Sequence, residues 1–89
     1  MKVKIELFGA SKDLSEKDFL EFNIEVKSSI KDLRKEIINY IDEKFKGNEN
    51  FKKIVETSAF CSEDNNIISD NYKITKDQKI SIIPPIGGG

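Results

Sequence analysis

SSIKDLRKEIINYIDEKFKG, residues 28–47, is the stretch where the period of this sequence changes. Ile30, Leu33, Ile37, Ile41 and Phe45 recur at steps of three and four, which sets them along one stripe of an α-helix. Ser29 stands ahead of the stripe with Asp32 three residues on, a weak form of the box in which a hydroxyl and an acidic side chain each accept from the other's backbone amide. Gly47 sits where a helix that ends in the left-handed conformation wants a residue without Cβ. The spacing predicts one long helix from Ile30 to Lys46.

Outward from this helix the period is two. Towards the N-terminus, Val3, Ile5 and Leu7 alternate with Lys2, Lys4 and Glu6, and Leu20, Phe22, Ile24 and Val26 alternate with Glu21, Asn23, Glu25 and Lys27. Each pattern is that of a half-buried strand. The polar connection Ser11 to Asp18, anchored by Leu14, makes them a hairpin with a long loop. Beyond the helix, Phe51, Ile54 and Val55 suit a short second helix, and Thr57 to Cys61 and Ile67-Ile68 suit short strands around the turn Glu63-Asp64-Asn65-Asn66. Asp70 to Asp77 is polar, with Tyr72 and Ile74 turned inward. Lys79 to Ile83 alternates again and reads as a central strand, stopped by Pro84-Pro85 because proline has no amide for the ladder. A helix between strands needs a sheet to pack on, so the fold class is a two-layer α+β domain. This order of elements is that of a β-grasp, a mixed sheet with one main helix across it. Residues 1–89 read as one domain, with Val3, Ile5, Ile24, Leu33, Ile37, Ile41 and Ile82 in its core.

Composition narrows the function. At 89 residues the chain has room for one modest core and none for a deep cleft between lobes. Its 15 basic and 16 acidic residues are interleaved, for a net charge of -1, so the positive field that nucleic-acid binding requires is missing. No apolar run is long enough for a membrane span, and no signal peptide is evident. Histidine is absent, which removes imidazole metal sites and Ser-His or Cys-His nucleophile pairs. The single cysteine, Cys61, fits a reducing compartment, the cytoplasm. With no basic partner evident in sequence to lower its pKa, it reads as a packed or idle thiol. Glu63-Asp64 reads as a solvated pair, not a metal site.

The chemistry-bearing segment is Ile82-Ile83-Pro84-Pro85-Ile86-Gly87-Gly88-Gly89. A core strand ends, two prolines stiffen the exit, and glycines follow to the last residue. Proline favours extended polyproline geometry, and glycine lets other groups approach the backbone closely. The result is a stiff base carrying a slender, mobile carboxylate, residues 84–89, suited to entering a narrow site in another protein. The carboxylate itself would be the reacting group.

This terminus resembles that of the small subunits of molybdopterin synthase. The opening Val3-Lys4-Ile5-Glu6-Leu7-Phe8-Gly9-Ala10, the capped helix and the turn Asp77-Gln78-Lys79 are also similar to that family. The turn Cys61 to Asn66 departs from it by lacking Asn-Gly, and Gly87 stands where alanine or serine is commoner. The resemblance implies a sulfur carrier. A ubiquitin-activating-type enzyme would adenylate Gly89 with ATP, and a sulfur donor would convert the adenylate to a thiocarboxylate. The tail would then enter the large subunit of molybdopterin synthase and deliver sulfur to a cyclic pyranopterin. The chain itself would be the non-catalytic, sulfur-donating subunit, with no permanently bound cofactor and no metal. The site residues implied are Gly89 and Gly88 for the chemistry, and Pro84, Pro85, Ile86, Gly87, Phe8 and Ile83 for contact with the partner. Two alternatives stand beside this reading. One is a carrier or protein modifier serving thiamine, cysteine or tRNA thiolation. The other is a non-covalent β-grasp interaction module.

Overall fold

The computed structural model describes residues 1–85. The first alternating segment is strand β1 (Lys2–Leu7), with Val3, Ile5 and Leu7 buried. It pairs antiparallel with β2 (Phe19–Asn23), Ile5 opposite Leu20. On its other side it pairs parallel with the last strand, β7 (Gln78–Ile83), Ile5 opposite Ile80. Between β2 and β7 the chain forms β3 (Ser28–Ser29), α1 (Ile30–Lys44), α2 (Glu49–Thr57), β4 (Ala59–Cys61), β5 (Ile67–Ile68) and β6 (Lys73–Ile74). The main sheet has the order β2-β1-β7-β4-β5, and β3 pairs with β6 in a separate two-stranded ribbon. The last strand is therefore the middle one, as its alternation predicts. Two parallel neighbours demand a crossover between them, and α1 lies on that crossover.

The helix stripe becomes the core. Ile30, Leu33, Ile37 and Ile41 are fully buried in one cluster with Val3, Ile5, Ile80 and Ile82. Each such side chain contributes roughly 1.5–3 kcal/mol by leaving water. Phe45, the last residue of the predicted stripe, is the C-cap. It packs edge-on between Tyr40 and Phe51. The helix ends two residues earlier than predicted, and Gly47 takes the left-handed conformation at φ 71° to donate to the Ile41 carbonyl.

The N-terminus of α1 is closed on every side. Asp32 N–H donates to Ser29 Oγ, and Ser29 N–H donates to Asp32 Oδ2 at 2.9 Å. Ile30 and Lys31 donate to the carbonyls of Tyr72 and Asp70. The hydrogen bonds from Ser29, aided by Lys73 and Lys35, hold the Asp32 carboxyl below the ordinary carboxylate range. Because the pKa is lowered by folding, the stabilisation is complete above the unfolded value and is lost as pH falls through the folded one. Urea unfolding followed down an acid pH series is expected to lose stability there, and Asp32→Asn to remove that share of the pH dependence. Equal acid slopes in both proteins would refute it.

Several expectations are corrected. The second strand stops at Asn23 instead of running on to Lys27, because Lys27 turns left-handed at φ 73° and donates to Ile74 to start the ribbon. Val26 rides that turn and is exposed, and Ile24 is only half-buried. Tyr72 points outward, since its segment serves α1 through backbone carbonyls. The predicted loop after β1 is a 3-10 helix (Gly9–Leu14) whose Ser11 and Leu14 are buried. Glu63 is more than solvated: its Oε1 accepts from Lys79 N–H at 2.7 Å. Asn65 fills the left-handed turn position at φ 64° that Asn-Gly would otherwise supply.

Candidate functional site

The candidate site begins where β7 leaves the sheet. Ile82 is buried opposite Leu7 on one side and Phe60 on the other, so the strand is held from both sides up to its penultimate residue and by β4 alone at Ile83. Pro84 is buried and Pro85 exposed. A Cβ placed on Gly9 would lie 3.9 Å from both Cγ and Cδ of Pro84, so the proline ring rests beside the turn that follows β1. Gly9 is at φ 57°, a conformation that L side chains resist. Of the predicted site residues, Ile86, Gly87, Gly88 and Gly89 lie outside the described residues.

Phe8 and Ile83 stand one step past Leu7 and Ile82, the last pair of the β1–β7 ladder, on the face of the sheet away from α1. Both are large apolar side chains left open, at 40% and 36% exposure. The strip continues sideways. Ala59 pairs with Ile83, Cys61 pairs with Ser81, and Ile67, at 78% exposure, pairs with Cys61. An apolar strip beside the chain exit therefore runs through Phe8, Ile83, Ala59, Cys61 and Ile67. Such surface seldom remains uncovered in use. Further from the exit the same face is charged. Lys79 Nζ meets Glu6 Oε2 at 3.1 Å, and Lys4 Nζ lies 4.1 Å from the centre of the Phe19 ring.

Sequence reasoning identified Phe8 and Ile83 but missed Ala59 and Ile67. The signal was available in part: with Phe60 inward, its neighbours in β4 must face outward. The exposure of Ile67 has no such signal. Cys61 is half-buried within the strip. A recess of about 540 Å3 lined by Asn23, Glu25, Asp32 and Glu36 shares no residue with the exit. Among the described residues there is no cluster able to hold a metal, and no helix is long and apolar enough to cross a membrane.

No family model matches the chain, and no curated protein matches it. Solved structures do. SAMP1, a small archaeal modifier protein of Haloferax volcanii, superposes with a TM-score of 0.70 at 9% identity, over 100% of both chains. A putative molybdopterin converting factor subunit 1 from Pyrococcus furiosus gives 0.70 at 21% identity, over 96% of this chain and 98% of that one. A chain of the complex of subunits 1 and 2 of the molybdopterin-converting factor of Helicobacter pylori gives 0.62 at 23% identity, over 100% of both chains. With a mixed sheet whose central strand is the last, and one long helix across it, the chain has the ubiquitin-like β-grasp fold that these structures share.

Proposed function

We propose that the chain is a sulfur carrier for molybdopterin synthesis, with Gly89 as its reactive end. The observation that supports this most is the path of the chain. The central strand of the sheet runs without a linker into Pro84-Pro85, at an exit flanked by an open apolar strip, and Ile86-Gly87-Gly88-Gly89 follow in sequence. A rigid sheet thus carries both a slender reactive segment and a docking face. Fold likeness to molybdopterin-converting-factor subunits supports the same pathway.

The proposed chemistry needs no catalytic side chain on this protein. An oxygen of the Gly89 carboxylate bonds to the α-phosphorus of ATP in a ubiquitin-activating-type enzyme, and pyrophosphate leaves. Hydrosulfide, or a sulfide equivalent, attacks the acyl carbon, and AMP leaves with the C–O bond electrons. The resulting thiocarboxylate sulfur bonds to a carbon of a cyclic pyranopterin inside the large subunit of molybdopterin synthase, and a C–O bond of that carbon breaks, its oxygen leaving with the bonding electrons. Water then cleaves the acyl C–S bond, leaving sulfur on the pterin and restoring the carboxylate. Oxidation states balance throughout. Adenylation supplies the leaving group that a carboxylate lacks, which is the reason an ATP-using partner is required. The cytoplasm, where thiols stay reduced, is the compartment in which such a carrier works.

Incubation with a cognate activating enzyme, ATP and sulfide is expected to raise the intact mass by the difference between sulfur and oxygen, mapping to Gly89 alone. Modification elsewhere, or none, would sink the reading. Cys61→Ser is expected to change sulfur charging by no more than about twofold, since the sulfur rides on the carboxylate and not on the thiol. A folded Cys61→Ser protein that cannot be charged would relocate the chemistry.

The superposition on a small archaeal modifier favours one second reading, a protein modifier. It shares the adenylation step and differs in the acceptor. An isopeptide bond from Gly89 to a lysine amine, found by mass spectrometry of cell extracts, would favour it.

A further inference from the structure

We infer that the turn from Phe8 to Leu14 is a brace that sets the direction in which the tail leaves the sheet, with Ser11 as its positioning residue. The inference rests on the carrier reading for its functional consequence and on geometry for the brace itself.

Ser11 is fully buried although it is polar. Its hydroxyl donates to the Phe8 carbonyl at 2.6 Å and accepts from Phe8 N–H at 3.0 Å, while its own N–H donates to the same carbonyl at 3.1 Å. These bonds lock both backbone groups of the residue before Gly9. Gly9 then turns left-handed and presents its Cβ-less face to the ring of Pro84. The far end of the turn is tied to α1, where Tyr40 Oη donates to the Leu14 carbonyl at 2.7 Å. Tyr40 is itself held edge-on between Phe22 and Phe45. A chain of contacts therefore runs from the core helix through Leu14, Ser11 and Gly9 to Pro84. Pro84 is the first residue after the last ladder pair, where pairing no longer fixes the chain.

Pro84 buried and Pro85 exposed is the pattern of a tail guided at its root. Without the brace, only the proline φ values would restrict the exit. A tail that points the right way only part of the time binds more weakly in proportion to that fraction, while its turnover once bound is unchanged. The signature is thus a raised KM at constant kcat.

The test is adenylation of the full chain by its activating enzyme, read as ATP-pyrophosphate exchange, together with proton cross-relaxation between Gly9 Hα and the Pro84 ring. Ser11→Ala is expected to keep the core resonances, lose the Gly9–Pro84 cross-peak, and raise KM about tenfold with kcat within about twofold. If Ser11→Ala does not fold, Tyr40→Phe takes its place. It removes one hydroxyl far from the tail, with a KM rise of about threefold expected. An unchanged KM with the cross-peak retained overturns the brace, and so does a fall in kcat at constant KM. If the wild-type chain is never adenylated, the carrier reading fails, and the cross-peak alone decides the brace.

Discussion

Extending the chain by one alanine beyond Gly89, or removing Gly88-Gly89, is expected to abolish sulfur charging while leaving the fold intact. The core explains the second half. Among the described residues, the buried cluster is built entirely from side chains between Val3 and Ile82. The first half is steric and chemical. One added residue moves the reacting carbon by about 3.5 Å, where even about 1 Å of misplacement costs on the order of a hundredfold. On the proposed carrier mechanism it would also put a methyl group where the partner's site receives only glycine. The loss in rate is therefore expected to exceed a hundredfold, measured by intact mass and by conversion of pterin with the large subunit. The extension is the sharper of the two, since it preserves every contact of the sheet. If the extended protein still charges and supports pterin conversion, the terminus is not the reactive group, and a non-covalent interaction module becomes the better reading.

Arg34→Ala is expected to be among the most damaging single changes to stability, at about 3 kcal/mol. Its guanidinium NH1 donates to the carbonyls of Val55 at 2.6 Å, Glu56 at 3.3 Å and Ser58 at 2.9 Å. These are carbonyls at the C-terminus of α2, where no further helical amide is available. NH2 reaches Asp70 Oδ1 at 2.8 Å, and the group lies 4.8 Å from the centre of the Phe60 ring. The Asp70 arm contributes least, because that carboxylate is half-exposed and screened by solvent. The carbonyl arms dominate, since the alanine protein leaves them poorly hydrated. In a chain of this size such a loss lowers Tm by about 12–24 °C. Arg34→Lys should recover only part of it, because an ammonium lacks the planar fork that spans α2 and Asp70 together. Below its own Tm the Arg34→Ala protein should still accept sulfur, which distinguishes it from the tail variants. A loss below about 1 kcal/mol by urea unfolding would mean that water replaces the fork without penalty.

Arg34 also marks where sequence reading ends. The stripe Ile30, Leu33, Ile37, Ile41 and the alternation of Val3, Ile5 and Leu7 were legible because period and burial are local properties. A residue's face follows from its neighbours three or two positions away. Ser29 and Asp32 were legible for the same reason, as a cap closes within one turn. The proline pair and glycine run were legible as a candidate tail because their backbone restrictions belong to the residues themselves. The bonds of Arg34 reach 21 to 36 residues along the chain, and nothing near Arg34 in sequence announces them.

Where local pattern misled, a distant partner decided the outcome. Ile24 and Val26 continue the alternation of β2, yet Lys27 turns to meet Ile74 across the ribbon. Tyr72 belongs to a segment whose carbonyls were needed by α1. The apolar strip beside the exit existed in sequence only as Phe8 and Ile83, and Ile67 joined it once β5 paired with β4. The sequence by itself determined which residues could form each element and which end was chemically distinctive. The tertiary structure decided what stands around the exit of β7: Gly9 beside Pro84, with Ser11 bonded to Phe8 behind it, and Ala59 and Ile67 on the neighbouring face of the sheet. The physical reason is that strand pairing brings together residues far apart in the chain, and their contact energies depend on a register that no short window of sequence contains.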